Sequence, residues 1–197
     1  MGNRLTKIYT KKGDDGTTDL GGNQRVPKYD QQIEVYGCLD ELNAAIGILV
    51  AEGDISENIQ AFLSNAQQDL FNIAGELSAP EFKSIDEEKV EEIEVFIESI
   101  NSQLPPLKEF VVPGVNLQSS RTHLARAICR RAERELVKLA FEVQELIIEG
   151  ADEEIVVNPN SLKYLNRLSD AFFVVARKLA RDENENEVVW DHQRQEK

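Results

Sequence analysis

If the stretch around residue 128 is helical, at about 100° per residue, His123, Arg126, Arg130 and Glu133 fall within an arc of roughly 80°. Arg134 lies just beside that arc and Arg131 points elsewhere. Guanidinium groups on one stripe repel each other unless anions sit between them, and the planar donor fork of arginine suits phosphate as well as carboxylate. Spacing alone leaves two readings open: interhelical ion pairs to acids of the fold, or a bound phosphate. Asn166, Asp170, Phe173 and Arg177 make a second stripe within about 60°. There Arg167 and Asp170 also stand at i, i+3 spacing, where opposite charges can pair on a helix surface. Gly37, Asp40, Asn43 and Gly47 form a strip of small residues carrying one acid, which either packs a helix closely or lets a partner approach. The segment Thr10-Lys11-Lys12-Gly13-Asp14-Asp15-Gly16-Thr17-Thr18 combines hydroxyls, ammonium groups and glycines able to turn N–H groups toward one point, as a phosphate cradle requires. By itself its Asp-Gly step equally marks a turn. Other constellations are missing. There is no G-x-x-x-x-G-K-[ST] loop, no Glu-x-x-His pair for a carboxylate-bridged metal bundle, and no plausible Ser-His-acid set among two histidines.

The elements that must hold these residues are legible as helices. Val35, Leu39, Leu42, Ile46 and Leu49 recur at spacings of three and four, predicting a helix from about Gln31 to near Gly53. Ile59, Phe62, Leu63, Ala66, Leu70, Ile73 and Leu77 predict a second, with Pro80 just past its end. Ser84 with Glu87 reads as a capping box for a third, built on Val90, Ile93, Ile97 and Ile100 and stopped by Pro105 and Pro106. An extended connector, Phe110 to Gly114, leads into a long helix from about Gln118 to Glu149. Asn158-Pro159 supplies an N-cap and a first-turn proline for the last helix, through Leu165, Leu168, Phe172, Val175 and Leu179. Five helices with short connections and no convincing strand pairs predict an all-α fold, an antiparallel five-helix bundle preceded by an extended Gly/Thr/Lys-rich N-terminal loop. Residues 1–197 read as a single domain: a loop over 1–28, the bundle over 29–181, and a partly disordered tail over 182–197 that is polar except for Val188, Val189 and Trp190.

The chain has 197 residues, enough for a sizeable core, and carries 36 acidic against 22 basic side chains, a formal charge of -14. Such a field repels nucleic acid and anionic membrane, so neither is expected as a partner. Seventeen of the 22 cations, however, fall in residues 1–30, 121–138 and 162–182, so the total does not exclude one small polyphosphate. Cys38 and Cys129 sit inside apolar helical patterns, reading as buried thiols in a reducing, cytoplasmic setting. The N-terminus lacks the apolar stretch of a signal peptide, and no apolar run is long enough to span a bilayer.

Five motifs in order carry a resemblance: Thr10-Lys11-x-Gly13-Asp14-x-Gly16, Arg25-Val26-x-Lys28, Tyr36-Gly37-x-x-Asp40-Glu41-Leu42-Asn43, Arg126-x-x-Cys129-Arg130-Arg131-Ala132-Glu133-Arg134, and Tyr164-Leu165-Asn166-Arg167-Leu168-Ser169-Asp170. Collinear from about residue 6 to 181, they resemble the PduO-type ATP:cob(I)alamin adenosyltransferases. The resemblance implies a homotrimer of five-helix bundles with active sites between subunits, transferring the 5′-deoxyadenosyl group of Mg2+-ATP to the cobalt of cob(I)alamin and releasing triphosphate. It implies ATP contacts from Thr10, Lys11, Lys12, Gly13, Thr18, Asp19, Lys28, Arg130, Arg131, Ala132, Glu133, Arg134 and Asn166, supported by Asp14, Asp170 and Arg167. Arg126 and Asp40 are implied to join neighbouring subunits at the site, and Phe110 to help displace the lower axial base of the corrinoid. No protein metal ligand is implied beyond the magnesium carried by ATP. A reductase and an adenosylcobalamin-dependent enzyme are the implied further partners. Lys12 stands where the family commonly has Thr, and Asp19 where a second hydroxyl is frequent.

Overall fold

The computed structural model describes residues 8–21, 24–53, 55–79, 81–148, 156–182 and 187–192. A β-hairpin, β1 (Thr17–Gly21) with β2 (Gln24–Pro27), precedes helices α1 (Gln31–Glu52), α2 (Glu57–Ser78) and α3 (Glu87–Asn101). A two-residue strand β3 (Val111–Val112) then leads to α4 (Leu117–Ile148), α5 (Pro159–Asp182) and a second short strand β4 (Val188–Val189). The expected N-terminal end of α1 is capped by Asp30, whose side chain accepts from the Gln32 N–H, and its C-terminal end by Gly53 in the left-handed region at φ 73°. Pro80 and Glu149, named above as helix boundaries, lie outside the described residues.

Three sequence expectations change. The N-terminal segment is not all loop, since β1 and β2 pair with Thr18 opposite Val26 and Asp19 opposite Arg25. Ser84 does not cap α3. Asp86 does, its side chain accepting from the Lys89 N–H, and the Ser84 N–H that Glu87 would accept in a capping box goes instead to the Glu76 carboxylate at 2.7 Å. The tail is not simply polar chain, since Val188 and Val189 pair antiparallel with Val112 and Val111.

Ladders of polar contacts fix how the helices run. Gln31 bonds Glu135 at 3.0 Å, Glu41 pairs with Arg131 and Glu52 with Arg121, so α1 and α4 are antiparallel. Cys129 to the Leu165 carbonyl and Asn116 to the Leu179 carbonyl set α4 against α5 in the same sense. The Gln32 amide on the Leu77 carbonyl and the reciprocal Asn43–Gln67 bonds do this for α1 and α2, and the Phe62–Phe96 stack with the Asp69–Lys89 pair closes α2 onto α3. Glu87–Lys163 and Glu94–Arg167 leave α3 and α5 running the same way. A closed ring of five helices cannot alternate throughout, so one neighbouring pair must be parallel, and this is it.

Inside the ring lie Val35, Leu42, Ile46, Leu63, Leu70, Ile73, Leu136, Leu165, Leu168 and Phe172, all essentially without solvent contact. Each contributes about 1.5–3 kcal/mol of burial free energy before the entropy of ordering is subtracted. The core is polar at one end, where the buried Glu76 carboxylate accepts from the Ser84 and Ile85 N–H groups, the Asn158 amide and the Ser161 hydroxyl. Asn158 also caps α5 through the Asn160 N–H, as expected, so one acid joins the ends of α2, α3 and α5.

Candidate functional site

On α4 the arginine stripe divides by environment. Arg131 turns back to Glu41 on α1, which fits its expected direction and makes it a structural cation within the chain. Arg130 and Arg134 face a cavity of about 300 Å³ that is completed by Glu133, Val137 and Asn166. Among the described residues neither has a carboxylate within ion-pair distance. Arg134 donates only to the Arg130 carbonyl, at 3.1 Å. The one acid in this pocket, Glu133, is held away from them by the Asn166 amide, which donates to it at 2.8 Å. Of the two readings left open by spacing, interhelical pairing therefore explains Arg131 and leaves Arg130 and Arg134 as unneutralised donors beside a cavity. Ala132 is fully buried and serves the core face of α4.

His123 and Arg126 continue the stripe toward the other end of α4 but are drawn inward. His123 is buried with both ring nitrogens unpartnered, and burial first, then the adjacent Arg126 charge, lower its pKa. Arg126 stacks its guanidinium over Phe173, 5.6 Å from the ring centroid, with its buried Nε unpartnered. Burial and then Arg130 lower its pKa, against the opposing charge of Asp170. Arg167 does not pair with Asp170. It donates to Glu94 at 2.7 Å and to Asn166 at 2.8 Å, so it braces the Asn166 side chain that orients Glu133.

The N-terminal loop is organised by Arg25, a motif residue whose spacing alone implies no contact. Its guanidinium reaches the Lys12 carbonyl at 2.6 Å, the Thr17 hydroxyl at 3.1 Å and Asp19 at 3.2 Å. Asp15 accepts from both the Thr17 N–H and hydroxyl, and those bonds, first the side-chain one, lower its pKa. Asp19 is therefore engaged with Arg25, while Thr10, Lys11, Lys12 and Asp14 remain exposed on the turn. Lys11 sits in the left-handed region at φ 62°, an unusual place for a non-glycine residue. Gly13 is closely surrounded: a Cβ there would stand 3.2 Å from the Lys28 ammonium and 3.2 Å from the Thr17 carbonyl, tighter than an ordinary van der Waals contact. Lys28 is thereby folded back over the turn, its own N–H bonding the Gly16 carbonyl at 2.9 Å. Three ammonium groups, Lys11, Lys12 and Lys28, and the hydroxyls of Thr10 and Thr18 are thus carried on one hairpin.

The remaining expected residues lie elsewhere on the surface. Asp40 is exposed on α1 and lines a broad groove with Tyr36, Phe71, Gly75 and Phe82; it makes no ion pair with Arg126 within the chain, among the described residues. In the strip around it, Asn43 and Gly47 serve helix packing against Gln67, whereas Gly37 has open space around it. Phe110 is 77% exposed at the end of the bundle, immediately before β3. The Trp190 ring, which no motif marks, packs edge-on against it at 6.4 Å. Among the described residues no cluster of three or more His, Cys, Asp or Glu side chains is arranged to hold a metal ion. Nor is any described helix long and apolar enough to cross a membrane.

Residues 8–179 match the family described as cobalamin adenosyltransferase. A cobalamin adenosyltransferase of Cupriavidus metallidurans is 42% identical over 195 residues, covering 99% of this chain and 100% of that relative. The corrinoid adenosyltransferase PduO of Citrobacter freundii is 37% identical over 188 residues, 92% of this chain but 52% of the longer relative. A variant PduO-type ATP:corrinoid adenosyltransferase from Lactobacillus reuteri, solved in complex with cobalamin and ATP, superposes with a TM-score of 0.80 at 32% identity, over 94% of this chain and 97% of that one.

Proposed function

The chain belongs to the cobalamin adenosyltransferase family, and from that premise we propose how its residues carry the reaction. The reaction is transfer of the 5′-deoxyadenosyl group of ATP to the cobalt of a reduced corrinoid. Cobalt(I) supplies the electron pair for a new bond to carbon 5′, the bond from that carbon to the triphosphate oxygen breaks, and triphosphate leaves. Because the nucleophile is the substrate's own metal, the protein needs no activated Ser or Cys and contributes position and electrostatics. That matches a chain whose two thiols are buried and whose single buried histidine is held neutral.

The observation that carries the assignment of residues is the pair Arg130 and Arg134, unneutralised beside a cavity while Arg131 next to them is paired. Arg130 and Arg134 bind the triphosphate and stabilise the charge that grows on it as it leaves. Glu133, fixed by Asn166, faces the sugar or base side, where an acid can accept hydrogen bonds without opposing phosphate. The hairpin brings Thr10, Lys11, Lys12, Gly13, Thr18 and Lys28 to the same polyanion, and Mg2+ enters with the nucleotide. Asp19, held by Arg25, acts by shaping the loop rather than by touching phosphate, and Asp14 supports the turn through its backbone N–H, which bonds the Lys11 carbonyl. Because Asp40 and Arg126 do not pair inside one chain, they are assigned to opposite sides of an interface between copies, in a homotrimer whose sites lie between subunits. Phe110 meets the lower face of the corrinoid and displaces its axial base, giving four-coordinate cobalt(II), which accepts an electron more readily. Residues 1–197 act as one domain, in the reducing cytoplasm. A reductase supplies the electron and an adenosylcobalamin-dependent enzyme takes the product.

The test is direct. Incubation with ATP, magnesium and chemically reduced corrinoid gives a light-sensitive cobalt–carbon product that is followed optically; its absence overturns the assignment. Phe110→Ala keeps ATP affinity and loses turnover from cobalt(II) under weak reductants.

A further inference from the structure

Phe110 cannot set its own position. It is 77% exposed, it lies on a connector between α3 and α4, and a two-residue strand is too short to be stable alone. What fixes it is the segment after α5. The Trp190 N–H donates to the Phe110 carbonyl at 2.7 Å, the Trp190 ring packs on the Phe110 ring, and Val188–Val189 pair with Val111–Val112. These contacts are themselves half exposed, so they too need an anchor, and the anchor is ionic. Glu187, whose side chain is 6% exposed, receives Arg177 Nε at 2.6 Å and Arg181 Nη2 at 2.7 Å. Arg177 is 2% exposed, and the same guanidinium donates to the Pro105 carbonyl at 2.8 Å. One buried cation on α5 therefore grips both segments: the connector five residues before Phe110 and the tail three residues before Trp190.

A buried guanidinium is expensive to desolvate and is tolerated only with its partners in place. The cluster is consequently close to all-or-none: with Glu187 seated, the tail is registered against β3, and without it a buried cation and two short exposed strands are left unsupported. We propose that Glu187, gripped by Arg177 and Arg181, is a positioning residue for the adenosyl transfer, clasping residues 187–190 to the bundle so that Phe110 is held where it displaces the axial base. This rests on the reading of Phe110 given above, and it assigns to three charged residues a task carried out entirely through an aromatic one.

The test uses the full chain with cob(II)alamin and ATP, reading four-coordinate cobalt(II) by electron paramagnetic resonance alongside ATP affinity by calorimetry. Glu187→Gln keeps shape and removes the charge; the expected result is about a tenfold loss of the four-coordinate signal and of cobalt(II)-dependent turnover, with ATP affinity within about twofold of the unmodified chain. A staple then separates registration from general stability. Trp190 and Phe110 form a hydrogen-bonded pair, so Val111 and Val189 face each other as the closer, non-hydrogen-bonded pair, suited to a disulfide. In the Glu187→Gln background, Val111→Cys with Val189→Cys restores the signal when oxidised and loses it when reduced. Phe110→Ala is the reference. If it retains the four-coordinate signal, the reading of Phe110 is wrong; if it loses the signal while Glu187→Gln retains it, the clasp is wrong and the reading of Phe110 stands. Loss of ATP affinity in Glu187→Gln, or a staple without effect, also overturns the clasp, since either shows a role in general folding.

Discussion

Arg130→Ala isolates the electrostatic core of the site. The Arg130 side chain is exposed on α4 and, among the described residues, makes no side-chain bond of its own, only its carbonyl accepting from Arg134. Its removal therefore costs the fold little, within about 0.5 kcal/mol for a surface change in a helix that alanine favours. The nucleotide pays instead. A charge-assisted guanidinium–phosphate contact is worth about 1.5–3 kcal/mol, which raises the ATP dissociation constant about tenfold to 150-fold. Arg130 faces water before ligand arrives, which favours the lower half of that range. Arg130→Lys keeps the charge and loses the planar fork, so it falls between, at about 1 kcal/mol. Isothermal calorimetry at two salt concentrations measures both effects, because a site with one cation fewer loses less affinity as salt rises. Arg131→Ala is the internal contrast. Its cation is paired with Glu41 across α1 and α4, so it changes stability more than ATP affinity. An Arg130→Ala protein with unchanged melting temperature and an ATP dissociation constant within about twofold of the original refutes the placement of the triphosphate.

Glu76→Ala leaves the Ser84 and Ile85 N–H groups, the Asn158 amide and the Ser161 hydroxyl without their buried acceptor; a loss of about 3–5 kcal/mol and a fall of about 10 °C in melting temperature are expected by calorimetry, and a change below about 1 kcal/mol contradicts the role of this acid as the joint between three helices. Trp190 is the only tryptophan, so its fluorescence reports the tail directly. Burial alone would raise the pKa of Glu187, but hydrogen bonds from Arg177 and then Arg181 outweigh it and hold it below the usual 4.5. A depressed acid stabilises above its unfolded pKa and loses that contribution as pH falls through the folded one, so Trp190 emission is constant through neutral pH and changes only on acidification below 4.5. A transition near pH 6 to 7 contradicts this. Burial raises the pKa of both thiols, Cys129 most strongly, so neither reacts with a thiol reagent at pH 8 until the chain is denatured; rapid labelling of the native protein shows that the core opens.

Helical periodicity determined α1, α2, α4 and α5 nearly to their ends, because a one-sided apolar stripe has one way to be buried and caps such as Asp30, Gly53 and Asn158 act locally. The third helix was legible while its cap was not. Ser84 and Asp86 both suit an N-cap; Asp86 takes the Lys89 N–H, and the Ser84 N–H that a capping box would give to Glu87 is bonded to Glu76 on the preceding helix. Strands β1 to β4 gave little signal. They are two to five residues long, and their pairing depends on partners that alternation within one short segment cannot reveal. Among site residues, Arg25 was visible in a motif, whereas Glu187 and Trp190 stood in a polar tail where nothing local marks a residue as anchored.

The sequence by itself therefore determined the helical class, the position of the cations along the chain and, through five ordered motifs, the family. Only tertiary structure decided what each cation does. Arg126, Arg130, Arg131 and Arg134 are chemically identical and adjacent on one helix. A neighbouring helix brings an acid to Arg131, an aromatic ring to Arg126 and only a cavity to Arg130 and Arg134. Coulomb energy and desolvation depend on distances in space, which residue spacing along one helix leaves undetermined.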